Sequence, residues 1–327
     1  MKQSAFLKNI LSCPKKTAIY KRINPVLFDV SLRDGIQNAI IENFPTDRKM
    51  SIFHSIITEL KPQKIEIGSL CSPRVLPIMK DSLVLHNFVK QYFIMQQRSA
   101  AIQNIDVYVL IPSMNKLYTA IEHNIKNFSF ITSLSEQFQI RNTNKTIQET
   151  KSDFDIMFAR WFREPCNYKT KLYISCFNAC PILGKLDNDF ILKEILYYNE
   201  KYNFDELCLS DTMGSLTIDD FEYIIENCLF FGIPPSKLSF HFHCMKGNQE
   251  NLEKILYYCF YKKLTKFDIS MLETGGCSVT MVPSKLRPNM TYDMFYFILD
   301  KYITRYIQLE EIYGEDCCKK LSDSGNY

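Results

Sequence analysis

Two rhythms of apolar residues alternate along this chain. Eight short runs rich in Val, Ile, Leu, Phe and Tyr fall at 26–32, 64–69, 106–112, 127–133, 171–177, 206–212, 238–244 and 267–272. Runs of this length and composition predict β-strands. Between them, apolar residues return every three or four positions, as at 47–60, 115–123, 187–202, 218–230, 249–261 and 292–306, which predicts helices. Within 218–230, Phe221, Ile224 and Cys228 share one stripe, Asp219 faces away, and Thr217 stands at the N-cap position. Stretch 145–170 is the least clearly patterned and is expected to hold one longer helix. Strand-then-helix alternation repeated eight times predicts an α/β fold, a single-domain (β/α)8 TIM barrel. Its expected limits are 26–306, with an N-terminal extension over 1–25 and a C-terminal tail over 307–327. A doubly wound open sheet is the competing architecture. The first run is not followed by a Gly-rich phosphate loop, which counts against the dinucleotide-binding form of that sheet.

Composition narrows the partners. The chain has 327 residues, 46% hydrophobic and 23% charged, the balance of a soluble globular protein. A net charge of +3, with no basic block beyond Lys15-Lys16 and Lys21-Arg22, argues against nucleic acid. No apolar run approaches the roughly 20 residues that span a bilayer. The twelve cysteines are scattered, without a Cys-x-x-Cys pair, and Cys176, Cys208, Cys228 and Cys259 sit inside apolar runs. They read as free thiols of a reducing compartment, so a cytoplasmic location is expected. The first 28 residues carry six basic side chains and no acidic one, which keeps a mitochondrial signal as the alternative. That segment is poor in Arg and Ser.

The candidate chemistry gathers at one end of the strands. Ser239 to Cys244 reads Ser-Phe-His-Phe-His-Cys. Side chains two apart on a strand share a face, so His241 and His243 project together while Phe240 and Phe242 take the other face. Two imidazoles from one strand can supply half of a divalent-metal shell. Arg33 and Asp34 come directly after the first run, Glu66 lies in the second, Asp211 lies at the end of the sixth and Cys277 follows the eighth. Barrel active sites occupy the C-terminal ends of the strands, where these residues fall. Each has an ordinary reading as well. A lone His pair is more often core, Arg33-Asp34 could be a strand-end ion pair, and Cys277 is one cysteine among twelve. His54, His86 and His123 lie in helical segments and read as incidental.

The order of motifs resembles a known family. Ser-Leu-Arg-Asp-Gly-Ile-Gln-Asn (Ser31 to Asn38) is similar to the opening motif of the HMG-CoA lyases, within the TIM-barrel superfamily of metal-dependent lyases and Claisen synthases. Ile-Glu-Ile-Gly-Ser, Ser175-Cys176 with Cys180-Pro181, Leu209-Ser-Asp-Thr-Met-Gly214, the His-x-His strand and Gly275-Gly-Cys277 follow in the family's order. The resemblance implies cleavage of a 3-hydroxy-3-methylglutaryl thioester to acetyl-CoA and acetoacetate. It implies Mg²⁺ or Mn²⁺ on Asp34, His241 and His243, with Asn289 as a further ligand. Arg33 would steady the enolate and contact substrate together with Gln37. Cys277 would protonate the enolate carbon, and Glu66 and Asp211 would handle protons or support the site. Homodimers are common in such a family. There are departures: Cys244 stands where the family has Asp, Ala39 where it has Glu, and the loop after Cys277 reads Ser-Val-Thr-Met-Val. A Claisen-type synthase joining acetyl-CoA to a 2-oxo acid is the enzymatic alternative. A barrel that keeps binding without turnover is the other.

Overall fold

Each of the eight apolar runs contributes a strand. A computed structural model of the chain describes residues 4–96, 105–163, 167–276 and 279–314. The strands are β1 (Val26–Asp29), β2 (Lys64–Ser69), β3 (Asp106–Leu110), β4 (Asn127–Ser133), β5 (Lys169–Ser175), β8 (Glu206–Asp211), β9 (Leu238–Phe242) and β10 (Lys266–Ile269). They pair in parallel in the order β1-β10-β9-β8-β5-β4-β3-β2 and close, with Val26 opposite Lys266 at the seam. This is the TIM barrel. A short antiparallel hairpin, β6 (Ala179–Cys180) and β7 (Gly184–Lys185), follows β5 outside it. Several strands stop short of their apolar runs. After β1 the amides of Arg33 and Gly35 both turn back to the Val30 carbonyl, at 3.1 and 3.0 Å, so the end of the run is a turn.

The helices are α1 (Ala5–Ser12), α2 (Pro14–Ile23), α3 (Thr46–Ser55), α4 (Ser82–Gln96), α5 (Met114–Glu122) and α6 (Glu136–Thr143). They continue with α7 (Ile147–Arg160), α8 (Asn188–Lys201), α9 (Ile218–Phe230), α10 (Gln249–Tyr261) and α11 (Tyr292–Tyr313). The stretch with weak patterning does hold a long helix, α7, started by a capping box of Thr146 and Glu149. Thr217 caps α9 as its sequence suggests. Helix α4 escaped the periodicity because its apolar residues wrap around it: Leu85 and Val89 are buried while Val84 and Ile94 are about half exposed. Helices α1 and α2 dock on α11. Lys16 pairs with Asp300 at 2.7 Å and the Arg22 guanidinium lies over the Tyr306 ring. The basic N-terminal segment is thus bound into the helix layer.

Alternation along the strands sorts the core. Ile65, Ile67, Leu172, Ile174, Leu207, Leu209, Phe240 and Phe242 pack with helix side chains in the main hydrophobic cluster. The inward positions are unusual. Barrels of this type fill their interior mostly with branched aliphatic residues, whereas this one carries Glu66, Lys171, Glu206 and Asp268, all buried. Lys171 is bonded to Asp268 and lies 3.2 Å from Glu206. Glu206 also meets Lys64 at 2.5 Å and Lys266 at 3.3 Å. Burial by itself would raise the Glu206 carboxyl, but the three lysines hold it well below the usual carboxylate range.

Asp29, at the end of β1, has no cationic partner of this kind among the described residues. It accepts from the Ser31 amide at 2.9 Å and the Tyr292 hydroxyl at 2.8 Å. Burial pushes its carboxyl up to about 6, from 3.8. The folded state therefore holds this proton more tightly than the unfolded chain does. Its contribution to stability is full below pH 3.8 and is lost as pH rises through about 6. Urea unfolding of the native protein and Asp29→Asn, compared from pH 3.5 to 7, is expected to diverge by about 3 kcal/mol across that window. Parallel pH profiles for the two proteins would contradict this assignment.

Candidate metal centre

The two histidines enter the barrel by different routes. His241 is the fourth residue of β9 and points inward. The strand ends at Phe242, and His243 is held beyond it by an antiparallel bridge to Asn289. The Nε2 atoms of the two rings still converge, 3.1 Å apart. Their other faces are tied. His241 Nδ1 meets Asp268 Oδ2 at 3.2 Å, and His243 Nδ1 meets the Arg287 carbonyl at 2.9 Å. A carbonyl or carboxylate oxygen can only accept, so each Nδ1 carries a proton, and in a neutral ring Nε2 is then the atom with a lone pair to offer a metal. Burial, with His241 beside it, pushes His243 down to about 4, so that ring is neutral at pH 7.

Two lone pairs at that distance repel unless a cation lies between them. Asp34 completes the set, with Oδ2 at 3.9 Å from His241 Nε2 and 4.0 Å from His243 Nε2. Among the described residues this is the group of His, Cys, Asp or Glu ligand atoms that converges, all within 4.8 Å of one another. Adjacent ligands of an octahedral Mg²⁺ lie about 3 Å apart and opposite ones about 4.2 Å. The observed spacings fall within that span. The donor set, two imidazoles and a carboxylate, suits a hard or borderline divalent ion. Outer hydrogen bonds to the far ring nitrogens are the usual means of aiming such ligands.

Arg33 and Asp34 leave β1 on the tight turn described above. Arg33 Nη1 donates to Asp34 Oδ1 at 2.7 Å, and Nε donates to Glu66 Oε2 at 2.5 Å. Tyr173 adds a hydroxyl hydrogen bond to Glu66 Oε2 at 3.1 Å, and the guanidinium carbon lies 4.9 Å from its ring centre. Burial acts to raise the Asp34 carboxyl, yet Arg33 and the two histidines hold it well below the usual carboxylate range. Burial acts likewise against the Arg33 charge, and Glu66 overcomes it. Both groups are ionised at neutral pH.

The loop after β10 closes over this side. The Gly276 amide donates to Asp34 Oδ2 at 3.1 Å, and Asn38 Nδ2 donates to the Gly275 carbonyl at 2.7 Å. Gly275 and Gly276 have φ of +144° and +93°, and a Cβ on Gly275 would come within 2.4 Å of Asn289 Nδ2 and 3.0 Å of Asp34 Oδ2. Only glycine fits there. Asn289 itself is buried, and its Oδ1 has no hydrogen-bond partner among the described residues. An oxygen left in that state beside a carboxylate and two imidazole lone pairs fits a further metal ligand. A cavity of about 790 Å³, including its open mouth, adjoins the cluster and is lined by Arg33, Asp34, Gln37, Tyr173, His241 and His243 among others.

No protein-family profile matches the chain. Similar individual proteins are found. The cytoplasmic 3-hydroxy-3-methylglutaryl-CoA lyase of Rattus norvegicus is 24% identical over 305 residues, 92% of this chain and 82% of that protein. A hydroxymethylglutaryl-CoA lyase of Bacillus subtilis is 24% identical over 303 residues, 91% and 90% of the two chains. Among solved structures, the Bacillus subtilis HMG-CoA lyase superposes with a TM-score of 0.69 at 19% identity, covering 92% of this chain and 93% of that one. An HMG-CoA lyase of Acinetobacter baumannii, solved with coenzyme A and 3-methylmalate, gives 0.66 at 20%, covering 92% and 95%.

The chain is similar to HMG-CoA lyases over nine-tenths of its length. Of the residues that this resemblance singled out, the structure brings Arg33, Asp34, Glu66, His241, His243 and Asn289 together and puts Gln37 at the mouth. Cys277 lies outside the described residues; Gly276 before it touches Asp34. Asp211 is not brought to the cluster. It has the strand parity of Leu207 and Leu209, the outward face, and its carboxylate accepts from the amides of Ser215 and Leu216 at 3.3 and 3.0 Å. It serves the turn after β8. Cys244, where the resemblance led one to expect Asp, packs against the core with Sγ 3.4 Å from Met294 Sδ. Asp268, Lys171 and Tyr173 were not anticipated. An acid in Lys266-Phe-Asp-Ile269 and a lysine in β5 at inward positions were visible signals. The Arg287 carbonyl has no side-chain signature.

Mn²⁺ binding, followed by electron paramagnetic resonance, checks this centre. Asp34→Ala and His241→Ala are each expected to weaken it by on the order of 100-fold or more, and Asp268→Asn by about 10–100-fold. Asp211→Asn should stay within about twofold of the native affinity, the result its outward carboxylate demands.

Proposed function

We propose that this protein is a divalent-metal-dependent carbon–carbon lyase that cleaves 3-hydroxy-3-methylglutaryl-CoA, or a close acyl-CoA analogue, to acetyl-CoA and a 3-oxo acid, acetoacetate in the parent case. The observation that carries the reading is the convergence of His241 Nε2, His243 Nε2 and Asp34 Oδ2 beside the buried Arg33 guanidinium. The similarity to HMG-CoA lyases over nine-tenths of the chain supports it.

The reaction breaks the bond between the carbinol carbon and the carbon next to the thioester. A cation held by Asp34, His241, His243 and Asn289, Mg²⁺ or Mn²⁺, would acidify the tertiary hydroxyl and hold the substrate carboxylate. The electron pair released on cleavage becomes a thioester enolate. Arg33 supplies a fixed positive charge for it, and its anchors on Asp34 and Glu66 mean that little reorganisation is needed when the charge develops. Tyr173 steadies the same Glu66 oxygen. Gln37, which lines the mouth, would contact the incoming acyl chain. Cys277, next in sequence after Gly276, is the candidate acid for the enolate carbon. The free cysteines among the described residues support a reducing, cytoplasmic setting.

Incubation of the purified protein with HMG-CoA and Mg²⁺ or Mn²⁺ is expected to release acetoacetate and acetyl-CoA in equal amounts. Arg33→Gln should lower kcat/KM by about 10²–10³-fold. No acetoacetate from metal-loaded, folded protein would overturn the proposal.

A further inference from the structure

Two cysteines with no task in the proposed cleavage touch each other. Cys176 follows β5 with a left-handed backbone, φ +62°, and Cys180 lies on the hairpin strand β6. They pack in one small cluster with Phe138, and the Cys176 thiol donates a hydrogen bond to the Cys180 sulfur. More donors converge on that sulfur. The Ser135 hydroxyl lies 3.0 Å from it, and the Ile182 amide donates at 3.3 Å with the Leu183 amide beside it. Ser135 is also the N-cap of α6. Such a ring of donors at the start of a helix stabilises a thiolate. The bond from Cys176, joined by these donors, holds the Cys180 thiol down to about 5, from 9.0. Burial drives the Cys176 thiol well above its usual value. One sulfur of the pair is therefore ionised at neutral pH while its neighbour keeps a proton. Cys228 shows the contrast: burial, with no such donors, pushes it up to about 12.

We propose that Cys180 is an oxidation site for hydroperoxides and Cys176 its resolving partner, so that the two close to an intramolecular disulfide. The Cys180 sulfur attacks a peroxide oxygen and the O–O bond breaks. The departing oxygen takes up a proton and leaves as water or an alcohol. Sulfur is oxidised by two electrons to a sulfenic acid, and the peroxide is reduced. The Cys176 sulfur then attacks that of Cys180. Its proton leaves with the sulfenic hydroxyl as water, and the S–S bond forms. A dithiol reductant reverses the change. Cys180 is 2% exposed, but its cover is slight. It packs against Ile182 and Leu186, on a hairpin of two residue pairs that is too short to be stable by itself. Local opening of such a ribbon admits a molecule little larger than water. The pair is also tied to the cavity. Its contact with Ser135 joins the hairpin to α6, whose Phe138, Asn142 and Thr143 line the mouth. Pro181 accepts from Lys285 Nζ at 2.7 Å, in the segment after β10. Drawing Cys180 onto Cys176, with about 2 Å between the sulfurs, removes the first tie and shifts the second.

Treatment of the reduced protein with equimolar hydrogen peroxide at pH 7, followed by alkylation, digestion and mass spectrometry, tests this. The tryptic peptide from Leu172 to Lys185 holds both cysteines. It is expected to lose two hydrogens, to resist alkylation and to be restored by dithiothreitol, at least about tenfold faster than Cys228 is oxidised. In Cys176→Ser, or Cys176→Ala should the first fail to fold, dimedone is expected to label Cys180. In the oxidised native protein, hydrogen exchange of the α6 amides should rise by at least about tenfold. Cys180 remaining a thiol while Cys228 is oxidised, or pairing with a cysteine other than Cys176, would overturn the proposal. A Cys176–Cys180 disulfide that leaves α6 exchange unchanged would sever the link to the mouth. All of these readouts are independent of lyase turnover.

Discussion

Ions placed where a barrel usually keeps aliphatic side chains must be matched with one another. Here Arg33, Lys64, Lys171 and Lys266 face Asp34, Glu66, Glu206 and Asp268 within the barrel. A buried charge is tolerated when each lone pair and proton finds a partner, and is severely destabilising when one partner goes. Most members of this set have two or more. The chain of contacts runs from Lys64 and Lys266 through Glu206 and Lys171 to Asp268, and from there to the ring of His241. The His241 ring at the top is therefore oriented by an ionic network anchored at the bottom.

The same constraint explains the stiffness of the catalytic side. Arg33 cannot swing away without leaving Glu66 and Asp34 desolvated and unmatched. Asp34 cannot turn without also losing the Gly276 amide. Groups whose alternatives are so costly are held in place before any ligand arrives, which is what electrostatic catalysis requires. The two glycines extend this to the backbone, since any Cβ at Gly275 would push Asn289 and Asp34 apart.

Sequence periodicity was sufficient for the architecture, because parallel strands buried on both faces and amphipathic helices leave different rhythms. The His pair and the Arg33-Asp34 end of β1 were legible for the same reason: period two and chain direction place them at one end of the barrel. Asp211 shows where that logic stops. Being near a strand end does not decide which face a side chain takes, and its parity with Leu209 sends it outward. Asp268 and Lys171 stayed unread because an isolated charge in an apolar run looks like noise until its partner, far along the chain, is known. Asn289 joins through a bridge to His243 that no local pattern encodes.

The barrel is sealed by β1 against β10, the earliest and latest strands of the closed sheet. Asp34 belongs to the first edge, and Asn289 follows the last. A polypeptide emerging from the ribosome thus exposes its candidate carboxylate ligand long before the residues beside it in the fold have been made. Contacts so distant in sequence form late. Under the proposed reading, ion capture is consequently tied to the completion of synthesis, and a prematurely truncated product would carry most of the helices and strands yet no assembled centre.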